Sequence, residues 1–189
     1  MMVIEDWRPP IVEMVMVKRD LAEWDPKNIF PNHLPEVAAT EQEIRDAERS
    51  LGIAFDREHR GFLGFADGWK CFHQSVTLLS ASELVGGALR DSALEAFEFA
   101  SEALEELGRT SEALLPIAAS LEQADVFVMP TDGEVVGRQV HWLAEGEVVD
   151  TFESFGQYFE SMIEYTRRRI GKLQEEARQA GLAVSRSHE

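Results

Sequence analysis

Cys71 and His73 are the two residues whose types and spacing best suit covalent catalysis. A cysteine thiolate is a nucleophile, a histidine can act as its base, and positions two apart on a strand share one face. A nucleophile also needs an orienting group and oxyanion donors, and the sequence around Cys71 matches no local signature of a cysteine enzyme. We therefore predict a protein that is not an enzyme and has no catalytic residue.

The surrounding stretch, HRGFLGFADGWKCF, has the pattern of a structural segment. Asp67 and Gly68 both tolerate the backbone geometry of a tight turn. The flanking aromatic residues have the spacing of a helix facing the core, followed by a strand. We interpret the stretch as a turn between two buried elements.

Metal and cofactor sites are not predicted. No two histidines have the spacing that places two imidazoles on one zinc ion from a helix. Gly86-Gly87 lacks the lysine and the glycine spacing of a phosphate-binding loop. The histidines are His33, His59, His73, His141 and His188.

The charge balance is strongly acidic: 35 acidic residues against 18 basic ones give a net charge of -17. Binding to a nucleic-acid backbone needs clustered lysine and arginine, so this composition argues against a nucleic-acid partner. An acidic surface instead attracts basic proteins.

The acidic residues between positions 91 and 106 follow one another at intervals of three or four, which aligns them on one face of a predicted helix. Like charges at this spacing destabilise an isolated helix by about 0.2 to 0.5 kcal/mol per pair. Two interpretations stay open: a solvated face that maintains solubility, or a docking surface for a basic partner. The residues are Asp91, Glu95, Glu98, Glu102, Glu105 and Glu106.

Cellular location is predicted from features that the sequence lacks. The single cysteine cannot form an intramolecular disulfide, the first residues carry acids where a signal peptide has bases, and no apolar run reaches membrane-spanning length. We expect a cytoplasmic protein with no membrane partner.

The first half of the chain is predicted to hold an arm, two helices and a strand. Residues 1–39 contain a proline-rich stretch, and we expect an arm anchored by Trp7 and Trp24. A capping box at Thr40 begins the first helix, a second covers residues 57–66, and HQSVTLLS is a strand candidate.

The second half is predicted to hold a long acidic helix, several strands and a closing helix. Ser92 begins the acidic helix and Gly108 ends it, with Leu94, Phe97, Leu104 and Leu107 as its apolar stripe. The pattern then alternates with period two in LLPIAAS, ADVFVMP, GRQVHWL and EVVDTF. A last helix begins near Ser154 and runs toward Gly181. This order predicts an α+β domain with a single, mostly antiparallel sheet packed against helices.

The succession TEQEIRDAERSLGIAF, HRGFLGFADGW, VTLLSASEL, LLPIAAS, VHWL and TFESFGQYFESMIEY resembles the SUKH superfamily across residues 40–165. The matching positions are Leu51-Gly52-Ile53, Phe62-Leu63, Asp67-Gly68, Leu115-Pro116-Ile117 and Phe155. Two features depart from the family: Phe55-Asp56 replaces a frequent Leu-Pro pair, and the acidic helix at about 91–108 looks like an elaboration. The resemblance implies an N-terminal arm over 1–39, a SUKH-like domain over 40–165, and a C-terminal helix extension and tail over 166–189.

The SUKH superfamily contains fungal cell-wall synthesis regulators and bacterial immunity proteins that neutralise polymorphic toxins. The resemblance therefore implies an immunity protein that binds a basic toxin domain, such as a nuclease, stoichiometrically. A regulatory scaffold without a toxin partner is the alternative, and an enzyme of unknown class is third. The oligomeric state is left open.

Two further expectations concern particular residues. Phe62, Phe65, Trp142, Phe155 and Phe159 are predicted to be buried against one sheet. The basic run from Arg167 to Lys172 could bind an anionic partner, but it also suits the negative end of a helix dipole.

Overall fold

The structure, a computed structural model, describes residues 3–181. Its helices are α1 (Arg8–Glu23), α2 (Glu41–Leu51), α3 (Arg57–Leu63), α4 (Ala81–Val85), α5 (Ala88–Glu98), α6 (Ser101–Leu107) and α7 (Phe155–Gln179). Its strands are β1 (Trp69–His73), β2 (Val76–Leu78), β3 (Leu114–Ala119), β4 (Val126–Asp132), β5 (Val135–Val136), β6 (Val140–Ala144) and β7 (Glu147–Phe152).

The strands form one sheet in the order β1-β2-β3-β4-β6-β7, and the short β5 pairs with β4. Every strand pair is antiparallel. The predicted α+β class with a single antiparallel sheet is confirmed. HQSVTLLS, a single strand candidate in the sequence, instead completes the β1–β2 hairpin, because the chain turns at Gln74 with a positive φ of 54°.

Helices cover both faces of the sheet. Neighbouring residues on a strand point to opposite faces, so Val126 and Phe127 on β4 mark the two sides. Phe127 packs against Tyr158 of α7 at 4.8 Å between ring centroids. Val126 lies beside Phe97 of α5. The layer containing α1, α3 and α7 therefore lies on one face, and α5 with α6 lies on the other.

The predicted helix starts at Thr40 and Ser154 are confirmed by their hydrogen bonds. The Thr40 hydroxyl accepts from the Glu43 amide while the Glu43 carboxylate accepts from the Thr40 amide. The Ser154 hydroxyl accepts from the Gln157 amide. The last helix also continues through Gly171 as far as Gln179.

The predicted acidic helix from Ser92 to Leu107 is wrong as a single element, because the structure divides it into α5 and α6. The first helix begins at Ala88, four residues before the predicted cap, and the Ser92 hydroxyl donates to the Ser120 carbonyl. The helix is interrupted at Phe99-Ala100, between α5 and α6. In a continuous helix the Ala103 amide would bond to the Phe99 carbonyl, but here it donates to the carbonyl of Gly146 at 3.0 Å.

Residues 1–39, predicted to be an arm, contain α1, which packs along α7. Trp7 is fully buried, and its ring lies 5.3 to 5.5 Å from Phe62, Phe155 and Phe159. Trp24, the other predicted anchor, is half-buried. The segment before residue 40 therefore supplies the centre of the aromatic core.

The burial prediction holds for Phe62, Phe155 and Phe159, but Trp142 is half-buried and Phe65 is 39% exposed. The prediction for Phe65 is wrong because α3 ends at Leu63. Phe65 lies in the turn that follows, so helical spacing no longer places it on the face of Phe62.

Replacing Trp7 with alanine tests whether the N-terminal segment is part of the core. Trp7→Ala should lower the free energy of unfolding by about 3 to 5 kcal/mol, the usual cost of removing a buried large aromatic side chain. Urea denaturation of the full chain measures the change. Trp24→Ala is the matched control and should cost clearly less. Equal costs for the two variants would contradict a central role for Trp7.

Candidate functional site

In the described structure, Cys71 and His73 make separate contacts rather than a hydrogen bond to each other. Cys71 has a positive φ of 48° at an irregularity between β1 and β2, so the alternation of faces that relates it to His73 is interrupted. Its amide donates to the Thr77 hydroxyl, and its carbonyl accepts from the Lys18 ammonium. His73 packs edge-on against Trp142.

The electrostatics around His73 also oppose a role as a general base. Burial, and secondarily the charge of Lys18, lower the pKa of His73 to about 4. Burial lowers the pKa of Lys18 to about 8, and the nearby Cys71 partly counteracts this. A base with a pKa so far below neutrality accepts a proton poorly at pH 7.

Asp67 and Gly68 have the structural role predicted for them. The Asp67 carboxylate accepts from the Ala81 amide at 2.6 Å, which ties the turn to the start of α4. Gly68 has a φ of 87°, and a Cβ at this position would lie 2.8 Å from the Leu78 carbonyl oxygen. Within residues 3–181, no group of three potential metal ligands is close enough to hold an ion.

The basic run on α7 is largely occupied by contacts within the chain. Arg167 forms salt bridges with Glu13 and Glu164, and Arg168 lies 4.4 Å above the Tyr165 ring. Arg169 lies over Phe30. The helix-dipole explanation is wrong, because α7 extends to Gln179 and the dipole acts only within the last turn.

The six predicted partner-binding carboxylates lie on the outer side of the α5–α6 layer. All six are exposed, and in the part of the chain that the structure describes none takes part in a salt bridge. The helix break means that they form two groups rather than one stripe. We call them the acidic surface: Asp91, Glu95 and Glu98 on α5, and Glu102, Glu105 and Glu106 on α6.

Phe99, which the sequence analysis missed, lies at the junction between these two groups. It is 79% exposed although it is a large aromatic residue. The signal available in the sequence was its position two residues after Phe97, because residues two apart on a helix do not share a face. An aromatic residue off the apolar stripe is exposed unless another segment of the fold covers it.

A shallow apolar groove of about 230 Å³ lies beside Phe99, between the α5–α6 junction and the sheet. Its walls include Ala96, Phe97 and Ala100 on the helical side and Val126 and Leu143 on the strands. The neighbouring depression shares residues Ala124, Ala144 and Glu145 with the groove and adds the carboxylates Asp125 and Glu147. The groove is therefore apolar at its centre and acidic at its edge.

The β6–β7 hairpin holds the junction in place. Gly146 has a φ of 88°, and its carbonyl accepts the Ala103 amide. A Cβ on Gly146 would lie 2.7 Å from the Phe99 carbonyl oxygen, so the backbones meet where only glycine fits. This contact determines where Phe99 reaches the surface.

The fold assigns the chain to the α+β domains in which helices flank one antiparallel sheet. Residues 38–161 match the family model of the SMI1 / KNR4 family (SUKH-1), and the chain belongs to that family. The SUKH resemblance is thereby confirmed, and the family includes both toxin-immunity proteins and regulators. A search of curated proteins found no significant match.

The family match includes the acidic surface but excludes part of the core. Both α5 and α6 fall within residues 38–161, whereas α1 and the part of α7 after residue 161 lie outside. None of the helices in the described range is long and apolar enough to cross a bilayer.

Three buried histidines make stability depend on pH. Burial lowers the pKa of His59 to about 3 and that of His73 to about 4, and it also lowers the pKa of His141. Histidines of the unfolded chain titrate near pH 6.5, so acid favours the unfolded state. The stabilisation is fully present above about pH 6.5 and decreases as the pH falls toward these folded-state values.

We expect the free energy of unfolding to fall by about 2 kcal/mol for each of His59 and His73 between pH 7 and pH 5. Urea denaturation across this range measures the change. His73→Gln should remove the contribution of about 2 kcal/mol that comes from His73. A parent chain equally stable at both pH values would refute the prediction.

Gly146→Ala tests the contact that positions Phe99. The left-handed backbone should cost about 1 to 2 kcal/mol for any L residue, and the clash with the Phe99 carbonyl should add to that. Gly133→Ala is the matched control, since Gly133 has a φ of 65° but open space around its Cβ. Urea denaturation and the amide NMR signals of Phe99 and Ala103 report the difference. Identical effects of the two substitutions would argue against the contact.

Proposed function

We propose that this protein is a cytoplasmic immunity protein that neutralises a toxin by binding it stoichiometrically, without catalysis. The partner is a basic protein domain, and the binding site is the acidic surface with Phe99 at its centre. The observation that carries the proposal is the exposure of Phe99 among six carboxylates that have no salt-bridge partner in residues 3–181.

The charge of the surface supports a basic partner. A nuclease toxin carries positive charge where it holds its nucleic acid, because it must neutralise phosphates. Unpaired carboxylates on the inhibitor would attract that same region and accelerate association. The inhibitor would then cover the surface that the substrate uses. The net charge of -17 opposes direct binding of nucleic acid by this chain.

The exposed aromatic residue supports a protein interface. Interfaces gain most of their affinity from a few central residues that become fully buried, and aromatic residues are enriched among them. Carboxylates around such a centre contribute more to orientation and association rate than to affinity. The acidic surface and Phe99 have this arrangement.

A regulatory scaffold of the SUKH type is the alternative, since the same surface could recruit a basic partner without inhibiting it. Affinity capture with the parent chain followed by an activity assay separates the two. A captured domain that loses its activity at a one-to-one ratio supports immunity. A captured partner whose activity is unaffected supports the scaffold.

Charge reversal tests the role of the acidic surface. The triple variant Glu95→Lys, Glu98→Lys and Glu102→Lys should fold normally, because all three positions are exposed. Its association with the captured partner should be about tenfold slower or more at low salt. The difference should shrink as the Debye length falls from about 30 Å at 0.01 M to about 8 Å at 0.15 M salt. Stopped-flow kinetics against ionic strength measure this.

The control is a triple reversal in the opposite helical layer, at the exposed residues Asp20, Glu23 and Glu160. This control variant changes the net charge by the same amount, so it separates an effect of the docking surface from an effect of the total charge. Equal slowing by the two triple variants would mean that the acidic surface is only a solvated face.

A further inference from the structure

We infer that the groove beside Phe99 receives one apolar side chain that the partner carries within a basic segment. This inference rests on the proposed function and specifies the chemistry that the partner must present. It concerns the groove defined by Ala96, Phe97, Ala100, Val126 and Leu143.

The size of the groove favours a single side chain as its occupant. Sites for small molecules generally have volumes of about 300 to 1,000 Å³, and the groove is smaller, at about 230 Å³. Its walls come from helix α5, the junction and two strands, so the shape is largely preformed. Phe99 stands at its edge and would cover the inserted side chain.

The lining determines which side chain fits. Ala96, Ala100, Val126 and Leu143 offer no charged group, so a polar side chain would lose its water without finding a partner. Leucine, isoleucine, methionine or phenylalanine would bury apolar surface there. The occupant is therefore apolar.

The carboxylates at the edge of the groove determine which residues of the partner can flank the inserted side chain. Glu145 lines the groove, and Asp125 and Glu147 line the depression next to it. Glu98, which is exposed, immediately precedes Phe99 in the chain. Lysine or arginine on either side of the apolar anchor would meet these carboxylates, whereas acidic neighbours would be repelled.

The exposed apolar residues of α1 lack this combination. Val12 and Met16 are exposed on α1, but Glu13 between them is paired with Arg167. A basic segment would gain less there, because the carboxylate is already neutralised. The groove beside Phe99 unites an apolar cavity, an exposed aromatic ring and carboxylates that take part in no salt bridge within residues 3–181, although Asp125 accepts a hydrogen bond from the Trp142 indole.

Two synthetic peptides of equal length and charge test the inference on the full chain. Both consist of lysine and glycine around one central position, which is leucine in the first peptide and serine in the second. Titrations followed by the amide NMR signals of the protein give the affinity and the location of binding. They are run at low salt and again at 0.15 M salt.

Three variants locate the site. Ala124→Trp places a large side chain at an exposed position on the groove, and Ala96→Leu narrows it from the helical wall. Val12→Trp is the matched control, with the same added bulk in the other helical layer. Circular dichroism and thermal unfolding verify that each variant is folded.

We expect the leucine peptide to bind about tenfold more tightly than the serine peptide, as burial of one such side chain implies. The signals of Phe99, Val126 and Leu143 should shift. Ala124→Trp and Ala96→Leu should abolish the preference for leucine, and Val12→Trp should preserve it. Equal affinity of the two peptides, or a leucine preference that both groove variants retain, would overturn the inference.

The outcomes also separate this inference from the proposed function. If both peptides bind the acidic surface with equal, salt-sensitive affinity, the inference about the groove is wrong but the proposed acidic docking surface stands. Binding elsewhere, or none at low salt, would overturn both.

Discussion

The buried carboxylate of Glu58 joins three segments on which the rest of the fold depends. Glu58 lies on α3 and is almost completely buried. It accepts a hydrogen bond from the Ile4 amide at 2.9 Å and another from the Gly156 amide at 3.2 Å. The second bond stabilises the first turn of α7, whose free amides and positive dipole favour a carboxylate. A Cβ at position 156 would lie 2.9 Å from the carboxylate, so any larger residue would have to displace Glu58.

The hydrogen bond between Glu58 and Gly156 fixes the start of α7 and therefore the packing on one face of the sheet. The position of the α5–α6 layer on the other face depends on that packing. With α7 fixed at its start, Phe155 and Phe159 pack around Trp7, and Tyr158 packs onto Phe127 of β4. The strands are then held at fixed positions, including the β6–β7 hairpin. The hairpin carries Gly146 to the α5–α6 junction and so determines where Phe99 emerges.

The two helical layers have different energetic roles. The α1–α7 layer contains the aromatic core, and Arg167, Arg168 and Arg169 of α7 are engaged by carboxylates and rings. The α5–α6 layer exposes an aromatic ring and clusters carboxylates that repel one another, which costs stability in the free protein. A surface that serves binding is expected to contain local features that disfavour folding. A bound partner would cover the exposed aromatic ring and neutralise the carboxylates, which relieves both costs.

The sequence by itself determined the elements that depend on near neighbours. The caps at Thr40 and Ser154, the period-two strands after residue 113 and the resemblance to SUKH proteins led to the correct fold class. These signals lie within a few residues of each other, where side-chain hydrogen bonds and hydrophobic periodicity act.

Only the tertiary structure decided how the candidate site is built. The acidic helix breaks because Gly146, distant in sequence, takes the Ala103 amide. Cys71 is separated from His73 by an irregularity that Lys18 and Thr77 help to hold. Trp7 becomes central because α1 returns to pack on α7. Each of these outcomes rests on a contact between distant segments, and periodicity along the chain carries no information about which distant group will fill a given hydrogen bond or cavity.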